Sequence, residues 1–358
     1  MIPYILVYFL STVLSYCYSK SRDKSSTIVF LCLTFLTLFL PLALRYGIGT
    51  DYENYVRIIK NGLNLNYYTM FEPGWIPLIW FIDFFSLDVH WFFVFVSCIS
   101  TTILFTVLPR KYFYICVPIY ICTSWISSFS LVRQAFASLV FLVSLKKYML
   151  GRNFQAVFWG VMAGLFHTSL FLPLCLIPFL GLRLKCLNPI FNGTVFLVLC
   201  SAFALFDIGV VLFESFIALT PYASYINTIY NSKTELGSGL GIVLKELVLF
   251  LFLVSFRRDP AQTKDIKYNA ICILAIVQGI FIILSAQIRI LGRLTNIFDS
   301  AYVLFIIFLF HGKSKYRKLF LYFIILSFFL MYVKSLLSNP SSADGGLGLT
   351  PYQSIFSR

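Results

Sequence analysis

Residues 45–75 read RYGIGTDYENYVRIIKNGLNLNYYTMFEPGW and form the longest polar interruption in the first half of a very hydrophobic chain. Long apolar runs lie on both sides of this segment. It carries acidic and basic side chains together with several tyrosines, and ionisable groups so close to hydrocarbon are costly unless they face a cavity or a partner. The segment is therefore the first place to look for chemistry.

The composition excludes a water-soluble domain. Of the 358 residues, 59% are hydrophobic and 12% are charged, and the mean hydropathy is +0.87. A bilayer core takes roughly 20 apolar residues of helix per crossing, and the chain supplies such runs almost end to end. Because lipid accepts only helices or closed barrels, and alternating strand patterns are missing from the sequence, we predict an all-α polytopic membrane protein. The first apolar run is predicted to be a retained helix rather than a cleaved signal peptide.

About twelve transmembrane helices are expected in a single transmembrane domain, 1–358. The run 76–87 is apolar but too short to cross, so we predict an interfacial or re-entrant helix on the outer side, as for 208–219. Two short helices are expected within 153–182, with His167 near the outer surface. Outer loops 45–75 and 207–241 are expected to cover the site. The other predicted helices span 2–18, 27–44, 90–108, 112–129, 131–149, 190–206, 242–256, 268–287, 294–310 and 319–337.

The net charge of +14 is explained by topology. If the basic turn SKSRDKSS at 19–26 is cytoplasmic, well over half of the 28 Lys and Arg residues fall in inner loops, with Asp23, Asp259 and Asp265 as the only acids there. This is the distribution that the positive-inside rule describes. The charge therefore predicts an orientation with both termini outside, and it does not indicate a nucleic-acid partner.

The sequence offers no sign of a metal or cofactor site. The nine cysteines fall in hydrophobic runs or at their ends, without metal-ligand spacing, and are interpreted as small apolar fillers. No glycine-rich phosphate loop precedes a Lys-Ser/Thr pair, so a nucleotide site is not expected. We expect no cofactor and no metal. If the protein is a glycosyltransferase, its donor is expected to be lipid-linked rather than a nucleotide sugar.

Four arginines lie close to predicted membrane-spanning segments, where a charged side chain is energetically costly. They are Arg45 at the start of the first loop, Arg133 in the first turn of a helix, and Arg289 and Arg293 in a short outer link. Several guanidinium groups facing one cavity would suit a phosphate or pyrophosphate, which they bind through paired hydrogen bonds. The alternatives are extension of the side chains to the membrane interface or pairing with nearby acids.

Asp51, Glu72 and His167 are the outer residues able to act as a general acid or base. Removal of a proton from an acceptor hydroxyl needs a carboxylate or imidazole within hydrogen-bond reach. Asp51 follows a Gly-Ile-Gly-Thr turn and Glu72 begins a Pro-Gly turn, which would fix each carboxylate. Helix capping is the alternative for the two acids, and a buried structural histidine is the alternative for His167.

Tyrosines supply candidate substrate contacts. Tyr52 and Tyr55 lie in the first loop, Tyr222 lies in the second, and Tyr352 lies in the C-terminal tail. Their rings could stack on sugars, although an aromatic belt at the membrane interface accounts for such residues equally well.

Several segments occur in an order that resembles a known family. They are LRYGIGTDYENY, FEPGW, LVRQAFASLVFLVSLKKY, GLFHTSLFLPL, RILGRL and the tail PYQS. The similarity covers most of the chain, from Arg45 to Tyr352. The set resembles the EpsG-type branch of the Wzy-like bacterial polysaccharide polymerases. The GTDYxxY, RQxxA and FHxS motifs are specific as an ordered set.

The resemblance implies a GT-C-like fold and a polymerase of O-antigen, capsule or exopolysaccharide. Members transfer a growing chain from undecaprenyl pyrophosphate to the next lipid-linked repeat on the outer face of the bacterial inner membrane, without a nucleotide or an evident metal. A chain-length co-polymerase is an implied partner. By matching motif, the resemblance carries over the four arginines, Asp51, Glu72 and His167, and it adds Gln134. We expect the arginines to hold the pyrophosphate and one of the other three to be the base.

Two other functions remain open at this point. An O-antigen ligase-like transferase would use the same donor with a different acceptor. A flippase or transporter of lipid-linked oligosaccharide would also need cations for pyrophosphate, but it should show a repeat and a continuous charged path. Polar residues concentrate on one side in the predicted topology, which favours the enzyme.

Overall fold

The structure is a computed structural model, and it describes residues 1–60, 72–180, 189–205, 240–255, 266–287, 291–311, 317–337 and 347–357, together with position 215. These residues are overwhelmingly helical and include no β-strand; a single isolated antiparallel bridge joins Arg45 to Ser354. The predicted all-α architecture is therefore confirmed for the part of the chain that is described.

Fifteen α-helices are found in the described ranges, and most begin and end within a few residues of the predicted bounds. They are α1 Ile2–Lys20, α2 Lys24–Ala43, α3 Tyr52–Lys60, α4 Ile76–Phe84, α5 His90–Val107, α6 Phe113–Tyr120, α7 Val132–Met149, α8 Asn153–Phe166, α9 Phe171–Leu180, α10 Pro189–Leu205, α11 Leu240–Ser255, α12 Ile266–Gln287, α13 Gly292–Asp299, α14 Tyr302–His311 and α15 Arg317–Leu337.

Five of the described helices are long and apolar enough to cross a membrane: α1, α2, α5, α12 from residue 269 onward, and α15 from residue 318 onward. Several others are apolar but shorter, among them α8 and the segment 168–180. The protein is thus a helical membrane protein, and the number of twelve crossings stays a prediction. The predicted helix 294–310 differs in being split into α13 and α14.

The first polar loop contains a helix that the hydrophobic pattern did not predict. Helix α3 buries Tyr52, Tyr55 and Ile59, which stand three and four residues apart and so lie on one helical face. The segment 61–71 lies outside the described residues, as does nearly all of the predicted second loop. The short helix expected at 76–87 is present as α4.

Local sequence signals explain how several helices begin and end. The carboxylate of Asp23 accepts a hydrogen bond of 2.7 Å from the Ser26 N–H and caps α2. Helix α6 contains Pro118 and continues into a π-helical turn at Ile121–Trp125. Residues 128–131 then leave the helix before α7 starts at Val132, and this change of direction places Arg133 in the first turn of α7.

Small residues bring α8 against α7. The buried positions of α8 are Ala156, Gly160, Ala163 and Gly164, which fall on one face. Such small side chains let two membrane helices approach closely. The hydroxyl of Ser144 in α7 donates a 2.5 Å hydrogen bond to the Ala156 carbonyl across this contact.

The chain divides into two compact units, one of residues 1–175 with 328–358 and one of residues 176–327. The first unit contains α1 to α8 and the described tail 347–357. In the second unit, α10, α11 and α12 pack on one another, and Lys245 pairs with Asp299 at 3.5 Å. The side chain of Gln278 donates to the same carboxylate at 3.2 Å.

Candidate active site in the first unit

A turn at residues 72–75 holds the carboxylate at the centre of the candidate site. The indole N–H of Trp75, a residue that is almost completely buried, donates a 2.7 Å hydrogen bond to the Phe166 carbonyl at the end of α8. Gly74 packs so closely on α8 that a Cβ at this position would come within 2.8 Å of the Leu165 carbonyl oxygen. The Glu-Pro-Gly-Trp sequence therefore fixes Glu72 against the end of α8.

His167 lies where α8 stops. Its backbone is extended, with φ −158° and ψ 115°, and this conformation ends the helix and turns the side chain out of the helical register. The imidazole Nδ1 lies 2.7 Å from Glu72 Oε1. The two residues are 95 positions apart in the chain, so the contact depends on the tertiary fold.

Arg133 completes the cluster from the first turn of α7. Its Nη1 lies 2.7 Å from Glu72 Oε2, so the two carboxylate oxygens have different partners. The side chains of Arg133 and His167 are 26% and 24% exposed, and that of Glu72 is 11% exposed. The carboxylate is thus covered, while both of its partners keep a surface that a ligand can reach.

The electrostatics of Glu72 favour the ionised form. Burial acts to raise its pKa, but the hydrogen bond with His167 and the positive charge of Arg133 outweigh burial and lower the pKa below the usual glutamate value. An ionised carboxylate can only accept hydrogen bonds, so His167 Nδ1 must carry the hydrogen. In the neutral imidazole, Nε2 then has the lone pair that can accept a proton.

Arg45 occupies a different environment from that of Arg133. The residue is 2% exposed, and its Nη1 donates to the carbonyls of Ser128 and Phe129 at 3.1 and 2.6 Å. The guanidinium lies 4.6 Å from the centroid of the Phe93 ring. Burial lowers its pKa to about 10, so it stays charged at neutral pH. These contacts enclose the group, which favours a structural role over the predicted pyrophosphate contact.

Two of the tyrosines predicted to contact the substrate lie in the core of the structure. Tyr52 stacks on Phe93 with ring centroids 4.8 Å apart, and Tyr55 stacks on Phe92 at 5.9 Å. Tyr55 also meets the site, because the Arg133 backbone N–H lies 3.5 Å from its hydroxyl. Both rings are buried, so their faces pack on protein.

The remaining candidates are distributed as follows. Asp51 is half-buried just before α3, and its carbonyl accepts a 3.1 Å hydrogen bond from the Tyr55 N–H. Gln134 is buried in the first turn of α7. Tyr352 lies in the C-terminal tail, and its hydroxyl donates a 3.1 Å hydrogen bond to the Pro41 carbonyl in α2. Three candidates cannot be located with the site: Arg289 and Tyr222 lie outside the described residues, and only the backbone of Arg293, in α13, is described.

Within the described ranges, no three His, Cys, Asp or Glu side chains come together as a metal site would require. The cluster of Glu72, Arg133 and His167 instead offers a carboxylate, a cation and an imidazole that can move a proton. Sequence reasoning identified all three residues but not their mutual contacts. It missed the anchoring role of Trp75, for which the only signal was its place in the Glu-Pro-Gly-Trp turn.

Fold and site together define a helical membrane protein with a polar cluster suited to acid–base and anion chemistry. The sequence matches the EpsG family over residues 28–354, and the chain belongs to that family. Membership suggests a polysaccharide polymerase-type function with glycosyltransferase-like activity on lipid-linked oligosaccharides in the membrane. No curated protein and no solved structure shows significant similarity to this chain.

Proposed function

We propose that this protein joins undecaprenyl-pyrophosphate-linked oligosaccharide repeat units by glycosyl transfer on the outer face of the bacterial cytoplasmic membrane. The observation that carries the proposal is the contact of one carboxylate, Glu72, with both His167 and Arg133 at 2.7 Å. Family membership supports the class of reaction. The concentration of Lys and Arg in the predicted inner loops supports an orientation with both termini outside.

His167 is the proposed base. Glu72 accepts the hydrogen of Nδ1 and so holds the imidazole with its Nε2 lone pair available. The acceptor sugar hydroxyl attacks the anomeric carbon of the donor, and its proton passes to Nε2 as the new C–O bond forms. A carboxylate that orients an imidazole in this way also stabilises the imidazolium that results.

Arg133 is the proposed pyrophosphate contact. As the glycosidic bond forms, the bond between the anomeric carbon and the phosphate oxygen breaks, and undecaprenyl pyrophosphate leaves with the electron pair. A guanidinium stabilises this developing negative charge through charge-assisted hydrogen bonds. Because Glu72 binds Nη1 and Arg133 keeps about a quarter of its side chain exposed, the cation is oriented and still reachable.

The finer parts of the proposal rest on the resemblance and, for Tyr222, on its place in the second predicted loop. Arg289, Arg293 and Tyr222 are proposed to contact the substrate, Asp51 is an alternative base, and the loops 45–75 and 207–241 are proposed to cover a GT-C-like site in one transmembrane domain. A chain-length co-polymerase is the proposed protein partner. The proposed proton transfer to His167 uses neither a cofactor nor a metal.

The polymer ladder of cells that lack this gene, complemented with individual variants, tests the function. His167→Ala, Arg133→Ala and Glu72→Ala should each abolish the ladder while single repeats stay attached to the acceptor. Lys60→Ala is the matched control, because this exposed cation lies at the end of α3 and forms no described contact with the cluster. All variants must be compared at equal amounts in the membrane.

Three outcomes separate the alternatives. A lost ladder with retained single repeats supports the polymerase. Loss of single repeats as well would assign the protein to ligation or to an earlier transport step. An unchanged ladder in all three variants would show that the cluster is not the site.

A further inference from the structure

The C-terminal tail lies on the first loop of the same unit. Three backbone hydrogen bonds join them: Tyr46 N–H to the Gln353 carbonyl at 3.0 Å, Ile355 N–H to Leu44 at 3.0 Å, and Gly49 N–H to Gly348 at 3.1 Å. The first two flank the antiparallel bridge between Arg45 and Ser354. The segment 348–355 therefore pairs with residues 44–49, some 300 positions earlier in the chain.

Side chains from two other segments bind the same tail. The Tyr4 hydroxyl of α1 donates to the Leu349 carbonyl at 2.6 Å, and Ser130 Oγ donates to the Leu347 carbonyl at 2.6 Å. Leu349 itself is completely buried. A tail end with satisfied backbone groups and a buried leucine is docked in one conformation, since unpaired buried carbonyls would be costly.

Ser130 joins the tail and the first loop to the turn before α7. Its Oγ accepts a 3.4 Å hydrogen bond from the Thr50 N–H as well as donating to the tail, and the residue is 1% exposed. In the same turn, Arg45 binds the carbonyls of Ser128 and Phe129. The turn that ends three residues before Arg133 is therefore held from two sides.

We infer that the tail 347–355, acting through Ser130, positions the turn from which Arg133 enters the site. Residues 128–131 form a turn between two helices, and their N–H groups bond to carbonyls of the preceding helix. The contacts from Arg45, Thr50 and the tail hold this turn from the other side, and so they help to set the direction in which α7 starts. This inference rests on the proposed function. Tail and Ser130 are positioning elements and do not touch the substrate.

Hydrogen exchange measures the docking without any reference to activity. In the purified full chain, the amides of Tyr46 and Gly49 should exchange slowly, because both donate to the tail. A truncation that ends the chain at residue 346 should raise exchange in peptides covering 44–50, and Ser130→Ala should raise it to a lesser extent. Fast exchange of these amides in the intact chain would overturn the inference.

A second experiment compares the rate of polymer formation per folded molecule between wild type and the variants. The truncation at 346 should remove the ladder. Ser130→Ala should slow polymer formation by up to about tenfold, because the positioned conformation loses the free energy of one buried hydrogen bond. Ser130→Thr keeps the hydroxyl and should restore the rate. A truncation after Ile355 removes only the end of the chain, including the exposed Phe356, and serves as the matched control.

The two proposals fail differently. If His167→Ala abolishes the ladder while the truncation at 346 and Ser130→Ala leave the rate per molecule unchanged, the positioning role is wrong and the proposed function stands. If His167→Ala also leaves the ladder unchanged, the proposed site is wrong, and with it the positioning role. A lowered amount of protein with an unchanged rate per molecule would show that the tail supports folding only, which overturns the inference.

Discussion

Substitution of Glu72 by glutamine perturbs the site without changing its shape. The native carboxylate accepts two bonds of 2.7 Å, one from Arg133 and one involving His167 Nδ1. An amide has one oxygen acceptor and one N–H₂ donor, so it cannot accept from both partners. If Arg133 keeps the oxygen, the amide donates to Nδ1 and forces the imidazole hydrogen onto Nε2. His167 then has the tautomer that cannot accept a proton at Nε2.

The size of the effect follows from these two contacts. A hydrogen bond to a charged group contributes about 1.5–3 kcal/mol to stability. Glu72 is mostly covered but Arg133 and His167 are partly exposed, so the loss of stability in Glu72→Gln should not exceed that range. Loss of a positioned general base costs about 10²–10⁴-fold in rate. We therefore expect polymer formation by Glu72→Gln to fall by about 10²–10⁴-fold, close to the effect of His167→Ala.

The assay follows chain extension in membranes of a producing strain that lacks the native gene, with each variant at equal abundance. The double variant Glu72→Gln/His167→Ala should be no slower than either single variant, because residues that act as one unit are not additive. Extension by Glu72→Gln within about twofold of wild type would refute the orienting role. Additive losses in the double variant would show that the two residues act independently.

Three further predictions address the scaffold and the pH response. Gly49→Ala should be much more destabilising than Gly151→Ala in thermal unfolding; both glycines have positive φ, which costs roughly 1–2 kcal/mol for alanine, but only at Gly49 would a Cβ overlap the Phe129 carbonyl. Trp75→Phe should cost about 1–3 kcal/mol and slow polymer formation, because the Phe166 carbonyl loses its donor. The stability difference between wild type and Glu72→Gln should be fully present at neutral pH and should shrink as acidification protonates Glu72.

The structure provides the control for Trp75→Phe and the direction of the pH dependence for Glu72→Gln. Trp91→Phe is the matched control for the indole, because Trp91 is exposed and lies at the start of α5. The pKa of Glu72 is lowered in the folded protein, so its contribution is complete above the ordinary glutamate pKa of about 4.3 and is lost as pH falls through the folded value. A difference that grows on acidification would contradict the assigned ion pair. Equal melting temperatures for the two glycine variants would contradict the close contact at Gly49.

Hydrophobic runs predicted most of the fold because the information is local. The bounds of α1, α5, α10 and α15 fall close to the predicted ones, since a run of apolar residues of sufficient length favours helix in lipid wherever its neighbours lie. The two short helices around His167 were predicted from the length of the stretch 153–182 and the basic residues at both of its ends, and they are present as α8 and α9. The helix α3 was missed because its pattern is amphipathic and lies inside a segment interpreted as a loop.

The candidate site was predicted as a set of residue types rather than as a geometry. Chemistry selects the residues able to move a proton or hold a phosphate, so Glu72, Arg133 and His167 were among the candidates chosen from the sequence, and the structure brings these three into contact. The same reasoning gave Arg45 an equal place among the phosphate contacts. Its burial against backbone carbonyls depends on the turn at 128–129, which no pattern near residue 45 encodes.

The sequence by itself determined that this protein is a helical membrane protein, which residues are candidates for its chemistry, and which family it resembles. Each of these depends on hydropathy or on ordered motifs, and both can be read along the chain. Only the tertiary structure decided that Glu72 bridges Arg133 and His167 and that the tail docks on the loop that begins at Arg45. Such contacts join residues 61 to 309 positions apart, and their free energy comes from packing and hydrogen bonding between elements, which no local pattern specifies.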